Sequence, residues 1–348
     1  MPAPRHVLLV RTDHLGDMLL TLPMARALKA AHPACRISVL ASRANAVAAQ
    51  HHADVDQVEI DEQEAKGSNL RGVGALAARL RGLDCDAAVI VHPTLRLALA
   101  VWLAGIPVRI GSAYRGYSLL FNRRVRQHRR GSQEHESTLN LALLETLGVS
   151  GARPEPVRWK IEARERAAVE RLLHERGVAE RRFAVLHPGN AGSAMNWAAE
   201  QYAELGRRLA GDGLRIVVTG GPSERDLSAR VARAVGSAAV DLGGATSLPE
   251  LAALLHRAAL YAGSSTGPAH LAAAVGTPVI ALFSPLRSSA PARWRPLGTV
   301  VQTLQPALDL ECPRCLRERC PHWQCMHRHL RVEAAHSAAR RILGIAAV

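Results

Sequence analysis

The sequence predicts an α/β protein made of two doubly wound parallel sheets, and three observations lead there. Short apolar runs alternate with stretches of helical spacing along the whole chain, the rhythm of βα units. That rhythm pauses once, at residues 148–156, where two Gly and two Pro fall together as an interdomain linker would. It then restarts with strands that end in glycine-bearing turns. At 348 residues, 48% hydrophobic and 21% charged, the chain has ordinary globular composition and the length of two domains. The expected division is 1–155, a first domain that presents the acceptor of a reaction, and 156–348, a second that binds a nucleotide-bearing ligand.

In the first half the predicted strands are 6–10, 37–40, 58–60, 87–91 and 108–110. Helical spacing falls on the segment through about Leu28, on 70–80 and on 95–103. In the second half the strands are 183–186, 215–219, 239–241, 260–262 and 279–283. Helices are predicted near 198–209, 224–235, 248–257 and 268–274. A last helix over 332–343 is expected to pack back across the domain junction. No apolar run is long enough to span a bilayer, and only four apolar residues follow His6 before charge returns, too few for a secretory leader. A cytoplasmic protein is expected.

The net charge of +14 rests on 44 basic residues, all but three of them arginine. Such a charge calls for an anionic partner or surface, or simply solubilises the protein. Aromatic content of 3% leaves few platforms for stacking bases, so nucleic acid is not the expected partner. A phosphorylated or carboxylated acceptor beside a membrane fits the charge as well.

Four strands of the second half run into the turns His187-Pro188-Gly189, Thr219-Gly220-Gly221-Pro222, Leu242-Gly243-Gly244 and Gly263-Ser264-Ser265-Thr266-Gly267-Pro268. Ligands of open parallel sheets sit beyond the carboxyl ends of strands. There glycine allows close approach of backbone, and helix N-termini offer N–H groups to phosphate oxygens. Ser265, Thr266 and Gly267, with Pro268 at a first helical position, read as a diphosphate cradle. The alternative for each turn is that its glycine only closes the turn. None of them matches the dinucleotide or Walker patterns. His270 shares a helix face with Thr266 and reads either as a ligand to phosphate or sugar, or as a core histidine. Glu224 reads as a ribose contact or, more simply, as an acid favoured at a helix start.

The first βα loop is Arg11-Thr12-Asp13-His14-Leu15-Gly16-Asp17. Asp17 stands where a helix begins, and pattern alone leaves two roles open, helix cap or general base at the edge of a site. Asp13 is the rival carboxylate. His14 can support either, Gly16 can admit an acceptor to the backbone, and Arg11 can bind an acceptor anion or pair with Asp13.

These blocks together resemble the ADP-heptose:lipopolysaccharide heptosyltransferases, glycosyltransferase family 9. The segments that carry the resemblance are RTDHLGDMLLTLPMARALKAAHP (11–33), HPGNAGSAMNWAAEQYAEL (187–205), VVTGGPSERD (217–226) and AGSSTGPAHLAAAVGTPVIALFSP (262–285), with weaker echoes at 109–125 and 134–149. The resemblance implies a GT-B fold, two Rossmann-like domains facing a cleft. It also implies a metal-independent, inverting transfer from a nucleotide-sugar donor, ADP-heptose, to an anionic lipopolysaccharide core at the cytoplasmic face of the inner membrane. On this resemblance Asp17 is the general base. Asn190, Ser193, Thr219, Gly220, Gly221, Glu224, Ser265, Thr266, Gly267, Pro268 and His270 would form the donor site. Arg11, Asp13, His14, Gly16, Arg115 and Arg123 would meet the acceptor. Many relatives carry a basic pair before the tryptophan of the second block, where this chain has Met195-Asn196. The backbone N–H groups of 190–193 and 266–267, or an arginine from elsewhere, would then face the leaving diphosphate.

Four cysteines fall close together, Cys312, Cys315, Cys320 and Cys325, with His322, His327 and His329 nearby. Clustered thiols make this a candidate structural metal site, with reduced thiols or disulfides as alternatives. No cofactor is expected for catalysis.

Overall fold

A computed structural model describes residues 3–62, 72–129, 133–178, 182–308, 312–322 and 324–346. The chain forms two compact units, Met1–Lys160 and Ile161–Val348. The break falls a few residues beyond the predicted one. Trp159 holds the end of the linker to the first unit, by an antiparallel bridge to His52 and by stacking on the His51 ring at 5.1 Å.

The first unit is a six-stranded parallel sheet in the order β3-β2-β1-β4-β5-β6. Its strands are β1 His6–Arg11, β2 Arg36–Ser42, β3 Gln57–Asp61, β4 Ala87–Ile90, β5 Val108–Ser112 and β6 Arg123–Val125. The central strands are apolar and buried on both faces, as helix-covered parallel strands must be. The first helical stretch is divided in two, Leu15–Leu19 and Pro23–Ala31. Pro23 begins the second helix in the position that tolerates a missing N–H. Helix Leu95–Leu103 matches its predicted bounds and is capped by the Thr94 hydroxyl. Helix Val73–Arg81 replaces the predicted 70–80, and residues 70–71 of that prediction lie outside the described ones.

The second unit repeats the plan with the order β12-β11-β10-β7-β8-β9. The strands are β7 Phe183–His187, β8 Arg215–Gly220, β9 Ala239–Gly243, β10 Leu260–Ser264, β11 Val279–Leu282 and β12 Val301–Leu304. All ten predicted strands are present. The two that pattern reading missed, β6 and β12, are short edge strands with exposed or half-buried residues, so they carry no apolar run to be seen.

The last helix, Val332–Leu343, has the predicted bounds. It lies on helix Ala199–Gly211 of its own unit, with Ala335, Ala338 and Ala339 buried in that unit's core. Ion pairs flank the seam: His336 and Arg340 meet Asp212 at 2.7 and 3.3 Å, and Arg208 meets Glu333 at 2.6 Å. Small residues at alanine spacing allow this close helix contact, which the sequence pattern alone could not direct to one neighbour. Among the described residues no helix is long and apolar enough to cross a membrane.

Candidate active site

In the first unit β1 lies between β2 and β4, where the chain's winding reverses and a crevice opens beyond the strand ends. Arg11 ends β1 there and is 2% exposed. Its guanidinium is divided among three carboxylates: Nε donates to Asp13 Oδ1 at 2.7 Å, Nη2 to Asp17, and Nη1 to Glu136 Oε1 at 3.2 Å. Glu136, 1% exposed, also accepts from Arg129, whose guanidinium reaches Asn140 Oδ1 at 2.9 Å. Asn140 in turn donates to the Leu20 carbonyl at 3.0 Å, closing the network beneath the first helix. Asn45 donates to the carbonyls of Arg11 and Asp13 and so holds the loop backbone.

Asp17 occupies the first turn of helix Leu15–Leu19 but is not its cap. The N-cap is His14, which makes no side-chain capping bond. The capping role that pattern left open is therefore not the one this carboxylate has; it is bound to Arg11. Burial pushes the Asp17 carboxyl up to about 6, with Arg11 pulling it down and Asp13 and Glu136 adding repulsion. Desolvation is the largest influence, and the neighbouring carboxylates Asp13 and Glu136 add to it against the pull of Arg11. Burial also works against charge on Arg11, but Asp17, Asp13 and Glu136 outweigh it and hold the guanidinium protonated. A carboxyl tuned in this way can take a proton near neutral pH.

His14 is exposed beside this cluster. Exposed His92, just after β4, approaches Asp13 Oδ2 at 3.6 Å. Its pKa is lowered by desolvation beside the cluster and by Arg11 and Arg129, in spite of Asp13. The structure thus assembles Arg11, Asp13, His14 and Asp17, as read from the first loop. Glu136, Arg129, Asn140, Asn45 and His92 come from distant segments and were missed. Only Glu136 and Asn140 lay in a block already singled out, 134–149. Arg115 and Arg123 are exposed, Arg115 on the segment joining β5 to β6 and Arg123 at the start of β6.

In the second unit the four turns gather at the carboxyl ends of β7, β8, β9 and β10. Their chemistry is different. Glu224, at the end of the short 3-10 turn Pro222–Glu224, accepts from the backbone N–H of Gly221 at 2.8 Å and of Ala191 at 2.9 Å. Burial would raise its pKa, but these backbone donors bring it below the ordinary range. His187 is buried, its Nδ1 lies 2.9 Å from Thr219 Oγ1, and burial lowers its pKa to about 4. Its approach to Glu224 at 3.7 Å is therefore that of a neutral ring, not an ion pair.

Two expectations change here. A Cβ on Gly189 would run into the Glu224 carboxylate, one on Gly243 into Ser228, and one on Gly263 into the Tyr261 ring. These glycines are demanded by the protein's own packing. The N–H groups of 190–193 were expected to face a diphosphate, yet those of 191–193 are engaged internally. Ala191 donates to Glu224, Gly192 to Asn190 Oδ1 at 2.9 Å, and Ser193 to the Asn190 carbonyl at 2.9 Å. Ala191 holds this tight loop at φ +46°, a conformation costly for a residue with a side chain. The Asn190 amide and the Ser193 hydroxyl also bond inside the loop. Asn196, where the resemblance leads one to expect a basic residue, donates to the Pro188 carbonyl at 2.6 Å and accepts from the Tyr202 hydroxyl at 2.7 Å. It is a strut.

In the turn after β10 the Ser265 N–H donates to the Leu282 carbonyl at 2.9 Å and the Thr266 N–H to the Ser264 carbonyl at 2.8 Å. Helix Gly267–Ala274 starts there with Thr266 as N-cap and Pro268 in its first turn, and the Thr266 side chain makes no capping bond. Thr266 and His270 are 9% and 6% exposed, and Ser265, Gly267 and Pro268 are half-buried. Thr219, Gly220 and Gly221 flank the same carboxyl edge on β8.

The Cys312, Cys315, Cys320 and Cys325 side chains line one pocket with His322. All four thiols are free. Burial raises the pKa of Cys312 and Cys325, keeping them protonated. Among the described residues, these side chains do not converge into a close set of three or more metal ligands.

Two parallel-sheet units, one with a raised-pKa carboxylate at its crevice and the other with a helix N-terminus beyond β10, are those of a GT-B glycosyltransferase. Comparison with known proteins bears this out. Residues 73–325 match the model of glycosyltransferase family 9 (heptosyltransferase), and the chain belongs to that family. It is similar to lipopolysaccharide heptosyltransferase 3 of Escherichia coli, 29% identical over 77% of this chain and 80% of the relative. It is also similar to lipopolysaccharide heptosyltransferase 2 of the same species, 24% identical over 80% of this chain and 82% of the relative. A family 9 glycosyltransferase structure from Veillonella parvula has the same fold, with TM-score 0.84, 20% identity and 98% of each chain covered.

Proposed function

We propose that this glycosyltransferase is an inverting, metal-independent heptosyltransferase that moves heptose from ADP-heptose to an inner-core lipopolysaccharide acceptor. The observation that carries the mechanism is Asp17: a half-buried carboxylate with its pKa pushed up to about 6, steered by Arg11 at the sheet's crevice. As the acceptor oxygen attacks the anomeric carbon, its proton passes to Asp17 Oδ. The bond from that carbon to the diphosphate oxygen breaks, and ADP departs with the electron pair. In this reading Glu136 and Arg129 position Arg11. Asp13 and His92, with His14, lie where acceptor hydroxyls would be oriented.

The donor belongs to the second unit. The N-terminus of helix Gly267–Ala274 favours a diphosphate through its dipole, with Ser265, Thr266 and His270 beside it. Thr219, Gly220 and Gly221 would line the nucleotide pocket. Glu224 shapes that pocket through backbone N–H groups rather than touching ribose. The sugar and acceptor are supported by the relatives, lipopolysaccharide heptosyltransferases of Escherichia coli, and by the anion-seeking charge of +14. A cytoplasmic site of action follows from such an acceptor.

The test is ADP release with ADP-heptose and heptose-free core acceptor. Wild-type protein is expected to turn over, and Asp17→Ala to bind ADP but transfer nothing measurable. Normal transfer by Asp17→Ala would remove the base from this mechanism. One observation favours a second reading. The strut role of Asn196 puts no cation for the leaving group at that position, as expected of a protein that uses another nucleotide sugar or acceptor, or binds its donor with little turnover. Turnover with a different nucleotide sugar, or tight ADP binding without turnover, would select it.

A further inference from the structure

From Ala87 to Gln133 the sequence contains no Asp or Glu, yet it holds eight arginines. The fold sorts them. Arg96 is buried and bidentate with Asp61, Arg129 serves Glu136, and Arg109 donates to the Ile106 and Leu120 carbonyls at 2.7 and 2.9 Å. Arg115, Arg123, Arg124 and Arg126 are exposed around β6, the edge strand. Among the described residues, Arg115, Arg124 and Arg126 have no carboxylate partner.

Exposed apolar side chains occur at the same end of the sheet. Helix Leu95–Leu103 packs beside the 3-10 turn Gly116–Leu120. The link is tight: Arg109 joins Leu120 to Ile106, and Asn122 donates to the Pro107 carbonyl at 2.6 Å. The turn's end is thereby held three and four residues beyond the helix terminus. From these elements Trp102, Leu103 and Leu119 project at 47%, 39% and 81% exposure. They are half of the six large hydrophobic residues exposed among the described residues.

Arginines alone would be explained as guards of an edge strand against pairing with another sheet. That explanation gives no reason to expose a tryptophan and two leucines next to them. A solvated face gives none either, since apolar groups gathered on a surface mark a binding site. A nucleic-acid surface would use the cations but has no use for the leucines. A lipid bilayer with anionic headgroups uses both: arginines meet phosphates at the surface, and tryptophan and leucine enter the boundary below.

We propose that the β6 end of the first unit is a membrane-docking surface for anionic lipid, with Trp102, Leu103 and Leu119 inserting and Arg115, Arg124 and Arg126 on the headgroups. It rests on the proposed function in one respect, that a lipid-borne acceptor gives docking its purpose.

The test is co-sedimentation of the full chain with vesicles of phosphatidylcholine, with or without phosphatidylglycerol. The protein is expected to bind the anionic vesicles and to be released by salt. Arg124→Glu/Arg126→Glu should weaken this binding at least about tenfold, given the contribution of each basic residue near a charged surface. Leu119→Ser should weaken it by a smaller factor. Leu119 is almost wholly exposed, so its variant should melt like wild type. Vesicle binding that ignores phosphatidylglycerol, or is unchanged in both variants, overturns the proposal, as does equal binding to duplex DNA. ADP release with a delipidated, soluble acceptor separates the two ideas. If it is normal in these variants while vesicle-borne acceptor is used poorly, docking is supported. If wild type transfers to soluble acceptor yet never binds vesicles, docking fails alone. If it binds anionic vesicles but transfers to neither acceptor, the heptosyltransferase reading fails and docking stands.

Discussion

The crevice of the first sheet and the turns of the second occupy equivalent places in two similar folds, yet their electrostatics are opposed. In the first, Arg11 and Arg129 share Asp13, Asp17 and Glu136, so charges are dense. In the second, the ionisable groups are quiet: His187 is neutral by burial and Glu224 is satisfied by backbone N–H groups. A carboxylate in a poorly solvated place makes a proton acceptor. In the proposed function the first edge takes the proton, at Asp17, and the second, at the start of helix Gly267–Ala274, receives the donor's diphosphate.

The contrast can be broken most severely at Asp17. Asp17→Asn keeps the shape but removes the proton acceptor, and kcat should fall by about a hundredfold to ten-thousandfold. ADP affinity, measured by calorimetry, should not change. Next comes Arg11. Arg11→Met leaves Asp13, Asp17 and Glu136 without their shared cation and should cost about 3–5 kcal/mol of stability, read as a lower denaturation midpoint. A wild-type midpoint would mean that the carboxylates do not depend on it. In the second unit, Glu224→Ala strands the N–H groups of Gly221 and Ala191. A loss of about 1–3 kcal/mol is expected, with a raised KM for donor and little change in the pH profile.

The smallest effect sharpens the comparison by pH. The base works deprotonated, so kcat/KM should rise as pH increases through about 6, the value to which burial pushes Asp17. Stability should move the other way. The folded pKa is raised above the ordinary 3.8, so the native state holds the extra proton between these values. The stabilisation is complete below the unfolded value and is lost as pH rises through about 6. Asp17→Asn should flatten both trends; urea melts across this range provide the check. His187, whose pKa burial lowers to about 4, contributes the opposite limb, stability gained as pH rises from about 4 towards its ordinary 6.5, so the Asp17 effect is read as the difference between wild type and Asp17→Asn.

Much of this was legible before any coordinates. All ten apolar strands were read, because a buried parallel strand must be a continuous apolar run. The bounds of helices Leu95–Leu103, Leu248–Arg257 and Val332–Leu343 also matched, since their spacing and flanking turns are local signals. Strands β6 and β12 were not read, because exposed edge strands need no apolar run. The first loop disclosed Arg11, Asp13 and Asp17 as chemistry-bearing. It did not disclose Glu136, more than a hundred residues away, whose partner is set only when helix Glu136–Ala142 packs by β1. The glycine turns were found in their right places, but three of their glycines answer to Glu224, Ser228 and Tyr261, contacts that no local pattern encodes.

Sequence by itself determined the two parallel sheets, the turns at their carboxyl edges and the aspartate in the first loop. Each follows from hydrophobic period, glycine and proline, or the residues within one short segment. Tertiary structure alone decided what charge that aspartate carries, which N–H groups are already engaged, and where the last helix lies. Those depend on burial and on partners distant in the chain, and a pKa or a satisfied donor exists only after the segments have met.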